Sequence, residues 1–325
     1  MKIRTILLSS LLLLNTPMVC AEAAKDKDAA LKKTNKFKNI GIGFLTGYTD
    51  FKFNSTTGNN FSRFSGHSTL YSASVGNILV APSWTVGMSL FRVDTSLNSQ
   101  IFINPGVPAN AHQITHNDSL AGHALKQFSP KYFIDIAGAY GQNRVNTQST
   151  IMPGTRSSQI GSARNTNHSG FASLAGIYTR PWKNFSLIAS ARVLYSQVSA
   201  GSYAFNFNNA KLPPQTVLPL TNKVWFLMEN AEIDYKFDKT RFPFRPFVNA
   251  GLLQVLSFSN SRPVIGAVIN GVSPQLSMNK DGYRVGGGLS LNHKNITVRV
   301  EEQYYSSAGT YSSLQTIAGI RYTIS

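Results

Sequence analysis

Histidine and serine stand close together twice, in the runs NHSG at residues 167–170 and SGHS at residues 65–68. A serine nucleophile needs a base that takes its proton and a third group that orients the base. Neither run has the residue order of a hydrolase motif in which base and nucleophile are supplied together. We interpret both runs as polar rim or loop segments, so they do not predict a serine hydrolase.

A second set of candidates combines acids with histidines. Asp94, Asp118 and His116 could supply the paired acids and the base of a rim-located protease, but no sequence spacing forces them together. His112 and His116 are four residues apart, as metal ligands on a helix are, yet they stand in a loop-like Pro/Asn stretch without a third ligand. We therefore predict no enzyme activity, no metal site and no cofactor.

Three consecutive glycines, Gly286, Gly287 and Gly288, do not form a phosphate-binding loop. They lie in a strand-like stretch before Leu289 and open no helix. A bend of the chain, or a place where only a small inner side chain fits, explains them better.

The composition excludes several classes of protein. Charged residues make up only 14% of the 325 residues, against about 25% in typical soluble domains. The formal net charge is +17, which is common among nucleic-acid-binding proteins, but the bases here are dispersed and form no basic stripe. We expect neither a cytosolic enzyme nor a nucleic-acid-binding protein.

Residues 1–23 have the pattern of a secretory signal peptide. Lys2 and Arg4 precede an apolar run at residues 6–14, and Ala21-Glu22-Ala23 resembles a cleavage site. The run is too short for a membrane anchor. Cys20, the only cysteine, would leave with the signal peptide, so the mature chain is predicted to be exported and free of disulfides.

Residues 24–39 are rich in lysine, and two interpretations of this segment remain open. It could be a solvated chain terminus, or a short helix in the mouth of the domain that follows.

The elements after residue 40 read as β-strands with a period of two. In the hairpin at residues 71–94, apolar residues alternate with Ser, Gly and Thr on both sides of a turn at Pro82. One apolar face opposite small polar residues suits a wall between lipid and a polar interior. Residues 40–325 are therefore predicted to form an all-β, transmembrane antiparallel β-barrel.

The connections support this prediction, because short and long segments alternate, except that the last connection, residues 306–310, is also short. Short turns are predicted near residues 81–83, 129–130, 180–184, 238–243 and 294–295, and long loops at 54–66, 95–117, 145–167, 199–222 and 260–278. Outer-membrane barrels place short turns in the periplasm and long loops outside the cell. The count is about twelve strands, an even number, in one monomeric barrel.

The hairpin segment SWTVGMSL, residues 83–90, and the alternation of the last strand resemble the β-domain of autotransporters. The resemblance implies an outer-membrane barrel that depends on periplasmic chaperones and on the barrel-assembly machinery. Ile320, Tyr322 and Ile324 would form the terminal assembly signal, although the chain ends on Ser325 and not on an aromatic residue. Only residues 24–39 separate the signal peptide from the barrel, so no exported passenger is expected.

Strand parity predicts where the charges lie. If the apolar faces point outward, five bases and four acids point into the lumen: Arg192, Lys236, Arg284, Arg299, Arg321, Asp135, Glu232, Asp234 and Glu301. Charges of both signs should pair there, because unpaired buried charges are costly. The remaining bases, including Arg156, Arg164 and Lys211, are predicted on surface loops, where they could bind lipopolysaccharide phosphates.

The predicted role is structural or surface-interactive, through the extracellular loops, in contact with outer-membrane lipid and lipopolysaccharide. A passive diffusion pore is the first alternative, and a lipid-modifying enzyme is the second.

Overall fold

The computed structural model describes residues 40–57, 60–103, 107–217, 219–237, 244–260, 281–307 and 310–324. The predicted signal peptide and the lysine-rich segment lie outside the described residues. Every regular element among them is a strand. In chain order the strands are β1 (Ile40–Thr57), β2 (Asn60–Ala81), β3 (Trp84–Ile103), β4 (Val107–Gln127), β5 (Tyr132–Ile151), β6 (Gln159–Trp182), β7 (Phe185–Ala200), β8 (Tyr203–Phe207), β9 (Gln215–Val217), β10 (Leu220–Tyr235), β11 (Phe244–Asn260), β12 (Gly282–His293), β13 (Ile296–Ser307) and β14 (Tyr311–Ile324).

Twelve of these strands close into one antiparallel barrel. Consecutive wall strands pair with each other, β7 pairs with β10, and β14 returns to pair with β1. The closing register runs from Ile40 opposite Ile324 to Phe53 opposite Tyr311. Closure removes the free sheet edges, which lipid could not hydrate. The predicted fold class and strand count are confirmed.

β8 and β9 form a small hairpin that does not belong to the twelve strands of the wall. It pairs with the extracellular part of β6, where Gly161 faces Phe207.

The outer face carries a belt of exposed apolar side chains. Across three neighbouring strands Leu90, Leu120 and Tyr140 form one row in register, and all three are exposed. The next row toward the cell exterior is polar: Arg92, Asp118 and Gln142. The belt therefore ends between these two rows, and this boundary marks the outer membrane surface. No helix within the described ranges is long and apolar enough to cross a membrane.

The inner face is formed by the alternate residues, and these are mostly buried. Its apolar members form clusters, such as Leu125, Phe133, Ile177 and Ile188 near the periplasmic end. Polar members are interleaved with them, and Asp135 and Glu301 are among the least accessible side chains of the described chain.

The predicted short turns at 81–83, 129–130, 180–184 and 294–295 agree with the structure, whereas the one at 238–243 lies outside the described residues. Most of the predicted long loops are wrong. In place of the predicted loop at 54–66, β1 continues to Thr57 and β2 begins at Asn60. β5 continues to Ile151 and β6 begins at Gln159, so the predicted loop at 145–167 shrinks to residues 152–158. The predicted loop at 95–117 is mainly strand, and the one at 199–222 contains β8 and β9. Most of the predicted loop at 260–278 lies outside the described residues. Strands β2 to β6 therefore continue past the belt and raise this part of the wall roughly 20–25 Å above the membrane, for about ten residues at a 45° tilt.

Candidate functional site

One group of inner charges joins β4, β5, β6 and β7. The Arg192 guanidinium donates to the Asp135 carboxylate at 2.8 Å and also to the Ser173 hydroxyl. His123 lies 3.4 Å from the other Asp135 oxygen. The arginine and the aspartate are both buried, so each compensates the desolvation of the other.

A second group of inner charges surrounds Arg299. Its guanidinium donates to both oxygens of Glu232, at 3.1 and 2.7 Å, and to Glu301 at 3.0 Å. The same guanidinium lies 3.6 Å from the centre of the Phe247 ring. Asn249 donates to Glu301 at 2.6 Å. A bidentate pair with a stacked ring fixes this side chain in one position.

The remaining predicted lumen charges are more dispersed. Asp234 is buried on the inner face of β10, and Arg284 donates to Asn230 at 2.9 Å. Arg321 faces inward on β14 and packs over Gly41, with one guanidinium nitrogen that has no hydrogen-bond partner among the described residues. Lys236 differs from these residues, because it lies just beyond the end of β10 and is exposed.

A third group of charges lies on the outer face, directly above the belt. His116 contacts Asp94 at 2.6 Å, Arg92 donates to Asp94 at 3.0 Å, and Arg144 donates to Asp118 at 2.6 Å. We call these five residues of β3, β4 and β5 the interface cluster. The sequence left open whether Asp94, Asp118 and His116 meet, and the barrel register brings them together.

The interface cluster has the residue types of an acid–base site but not its surroundings. Burial on its own would raise the pKa of Asp94, but hydrogen bonds from His116 and Arg92 outweigh it, so this pKa lies below its ordinary value. Arg92 and Arg144 thus hold both aspartates as ion-pair partners. The cluster lies on a half-exposed outer wall, whereas catalytic sites are usually in water-excluding clefts.

In both His–Ser runs, the alternation of side chains along the strand places the histidine and the serine after it on opposite faces. His168 points outward and stacks on Tyr140, whereas the neighbouring Ser169 belongs to the inner face and accepts a hydrogen bond from Asn117. His67 stacks on Tyr48 outside, and Ser68 bonds Thr95 inside. In each run the histidine and the serine that follows it are therefore on opposite sides of the wall. Ser65 of the second run shares the outer face with His67, which stacks on Tyr48.

His112 and His116 share the outer face of β4 and are not in a loop. His112 contacts Asn98 at 2.9 Å, and each histidine has its own partner. Within the part of the chain that the structure describes, no three His, Cys, Asp or Glu side chains form a metal-binding group.

The three predicted loop bases have different positions. Arg156 is exposed in the connection at 152–158, and Lys211 is exposed in the turn between β8 and β9. Arg164 is not in a loop: it is exposed on the outer face of β6, because β6 begins before it. The predicted assembly residues Ile320, Tyr322 and Ile324 are exposed on the outer face of β14.

Sequence reasoning missed several polar residues of the wall. His123 faces inward within an apolar run. The only feature of the sequence that indicates this orientation is its spacing of two residues from Ala121 and from Leu125, which also face inward. Two outward-facing bases were also overlooked: Lys52 lies between Phe51 and Phe53 at the end of the predicted first strand, and Arg63 lies in the predicted loop at 54–66. The structure places both on the outer wall, above the belt.

A model of the autotransporter β-domain family matches residues 43–301. The chain belongs to this family. A comparison with curated proteins finds no match.

Solved structures of autotransporter β-domains have the same fold. The translocator domain of NalP from Neisseria meningitidis matches with a TM-score of 0.63 and 11% identity, covering 95% of this chain and 96% of that one. The β-domain of the Bordetella autotransporter BrkA matches with a TM-score of 0.57 and 12% identity, over 87% and 99%. The transport unit of AIDA-I from Escherichia coli gives 0.53 and 9% identity, over 94% and 97%. At these identities the likeness concerns the fold alone.

Proposed function

We propose that this autotransporter β-domain protein acts at the cell surface as a structural and surface-interaction barrel whose extracellular part contacts lipopolysaccharide. In this proposal it is neither an enzyme nor an open pore. It reaches the outer membrane by signal-peptide export and is inserted as a monomer by the barrel-assembly machinery.

The burial of the inner face carries the proposal. Side chains from opposite parts of the barrel wall, such as Val93, Leu125, Phe226 and Ile317, have 0–1% of their surface accessible. An open, water-filled channel would leave inward-pointing side chains accessible. The inner ion pairs around Asp135 and Arg299 are likewise dehydrated, which fits a filled interior.

The outer wall supports the second half of the proposal. Above the belt it presents exposed bases on the strands, among them Arg144 and Arg164, and exposed bases in the connections, Arg156 and Lys211. Lipopolysaccharide phosphates are the anions nearest to such side chains in the outer leaflet, and guanidinium groups bind phosphate through two parallel hydrogen bonds.

Passage of a polypeptide or solute through the interior is the second candidate. The NalP and AIDA-I domains are named for translocation and transport. Several inner amides and hydroxyls, including those of Thr49, Asn143, Thr147 and Asn167, have a polar atom without a partner among the described residues. Such atoms could bind water or a passing chain.

Two measurements on the purified protein test the proposal. Folded protein in detergent should bind lipopolysaccharide, and raising the salt concentration should weaken this binding because exposed charge pairs are screened. In planar bilayers the same preparation should give no steady conductance. A large, steady conductance would favour the second candidate, and absence of binding at low salt would contradict the lipopolysaccharide contact.

A further inference from the structure

The outer wall of β1 to β5, together with the adjoining β14 and β13, carries two grooves, one above the other. The lower groove, of about 1060 Å³, lies at the top of the apolar belt. Its outward-facing lining is largely apolar: Phe44, Tyr71, Leu90, Leu120, Tyr140 and Ile320. Arg92 and Asp118 of the interface cluster close its upper end.

The upper groove, of about 940 Å³, has a different lining. Lys52 and Arg63 are its bases, His112 is its histidine, and amide side chains supply most of the remaining outward-facing polar groups: Asn54, Asn98, Gln100, Asn110 and Gln148. No carboxylate lies among its described lining residues. Amides donate and accept hydrogen bonds, and this combination suits sugar hydroxyls.

The bases of the interface cluster and those of the upper groove differ in whether they already make ion pairs. In the interface cluster each arginine already contacts an aspartate. Neither Lys52 nor Arg63 makes an ion pair with a described residue, and Arg63 rests on the Phe61 ring at 4.9 Å. The upper groove therefore has two bases available to an external anion.

The height of the upper groove fits a lipid head group. On β1 the outward aromatic residue Tyr48 is followed, at successive outward positions, by Asp50 and Lys52. Four residues along a strand tilted by 45° place Lys52 about 9 Å above Tyr48. An acylated molecule seated in the lower groove would bring its charged sugar part to this level.

We propose that the outer wall of β1 to β5 binds one molecule of lipopolysaccharide, with acyl chains along the lower groove and the phosphorylated sugars in the upper groove. This inference rests on the proposed contact with lipopolysaccharide and assigns the contact to one place on the wall, separate from the bases in the connections. Lys52 and Arg63 bind phosphate, and the amides with His112 bind sugar hydroxyls. A phospholipid has no sugar part to occupy the upper groove.

A pair of matched double variants tests the location. The wall variant Lys52→Gln/Arg63→Gln and the loop variant Arg156→Gln/Lys211→Gln each remove two exposed bases. Binding of each full-length protein in detergent is measured against a short-chain phosphorylated lipopolysaccharide, its dephosphorylated form, and phosphatidylglycerol vesicles. Heat-dependent gel mobility shows that each variant is folded.

The wall variant should bind the phosphorylated lipopolysaccharide roughly tenfold more weakly, because two charge-assisted contacts are lost. The loop variant should stay within about twofold of the parent, since exposed pairs far from the ligand contribute little. Dephosphorylation should weaken parent binding and leave the wall variant nearly unchanged.

Three outcomes would overturn the inference. Loss of binding in the loop variant alone would place the contact in the loops and leave the proposed function standing. Equal binding to phosphatidylglycerol vesicles would show an unspecific anion surface. A parent protein that does not bind lipopolysaccharide would remove the proposed function as well.

Discussion

Arg299 is one inner side chain on which the stability of the buried charges of this barrel depends. It contacts two carboxylates and an aromatic ring, and it is buried on a strand whose outer neighbours face lipid. Removing it would leave Glu232 and Glu301 close together, buried and without their common cation.

The substitution Arg299→Met should therefore destabilise the folded barrel by about 3–5 kcal/mol, the cost of breaking a buried ion pair on one side. The control is Arg144→Met, which removes a half-exposed arginine of the interface cluster and should cost only about 0–1 kcal/mol. Urea unfolding of both proteins in lipid vesicles measures the difference. Equal effects would mean that the Arg299 pair is hydrated.

The glycines of β12 are required by a close approach of neighbouring backbone. A methyl group on Gly288 would overlap the carbonyl oxygen of Val300 and come within 2.7 Å of the Phe247 ring. A methyl group on Gly176, on the outer face of β6, would meet nothing within 4 Å. The expectation of a small inner side chain at Gly288 thus has a specific cause.

Gly288→Ala should lower the urea midpoint of unfolding, because overpacking of this kind typically costs about 1–3 kcal/mol. Gly176→Ala is the matched control and should leave the midpoint nearly unchanged. The same midpoint for both variants would show that β12 moves to accommodate the methyl group.

At the scale of elements, β14 closes the barrel by pairing with both β1 and β13. Its last residues face Ile40 to Gly43 on one side and Ile296 to Thr297 on the other. Without them the edges of β1 and β13 would be exposed to lipid, where unsatisfied backbone groups are costly.

Deletion of residues 321–325 should accordingly prevent accumulation in the outer membrane, as measured by fractionation and by heat-dependent mobility. Ser325→Phe is the companion variant and should assemble as well as the parent or better. Loss of assembly in Ser325→Phe would contradict the predicted terminal signal of Ile320, Tyr322 and Ile324.

The outer face of β5 crosses from lipid to water along one row of side chains. Ile134 and Ile136 lie within the belt, whereas Gln142 and Asn146 lie above it. The loss of stability caused by an arginine at each position of this row therefore indicates how deep in the membrane that position lies.

Ile134→Arg should cost about 2–4 kcal/mol in a lipid bilayer, since a charge at mid-depth is desolvated. Asn146→Arg, on the same face of the same strand, should cost close to nothing. Unfolding in vesicles compares the two, and equal costs would show that β5 does not span the membrane as described.

The sequence predicts the belt well because one face is apolar there and the other is small and polar. Between Val145 and Asn167 both faces are polar: Asn146 and Gln148 point outward, and Thr147 and Ser149 point inward. No alternation of hydrophobicity remains to indicate a strand. This explains why the extracellular halves of the strands were predicted as loops.

The candidate site was predictable only in part, for a related reason. Parity within one strand assigns Asp135 or Arg299 to the inner face, but the partner of each charge depends on the register between strands. Arg299 and Glu232 are 67 residues apart, on strands that are not neighbours. No local pattern fixes such a contact.

At the scale of the whole molecule, the barrel is a tube taller than the membrane. Strands β2 to β6, with 20 to 24 residues, are about twice as long as a transmembrane strand needs to be. The upper half of the wall therefore stands in the sugar layer of the outer leaflet.

Single cysteines along β5 test this height, because the chain's only native cysteine is Cys20 in the predicted signal peptide. A membrane-impermeant maleimide added to whole cells should label Gln148→Cys and should not label Ile136→Cys, which faces lipid. Labelling at both positions, or at neither, would contradict the extended wall.

The hydrogen-bonded pairing of the strands above the membrane also affects how the protein resists proteases. β5 and β6 stay hydrogen-bonded up to Ile151 opposite Gln159, so almost all described chain outside the membrane belongs to a continuous ladder. Proteases cut chain that can leave its partners, which occurs at loop tips. Nicking by proteases in the surroundings should thus concentrate at tips such as residues 152–158 and 208–214. A cut there leaves the ladder on both sides intact, so a nicked barrel keeps its shape in the membrane.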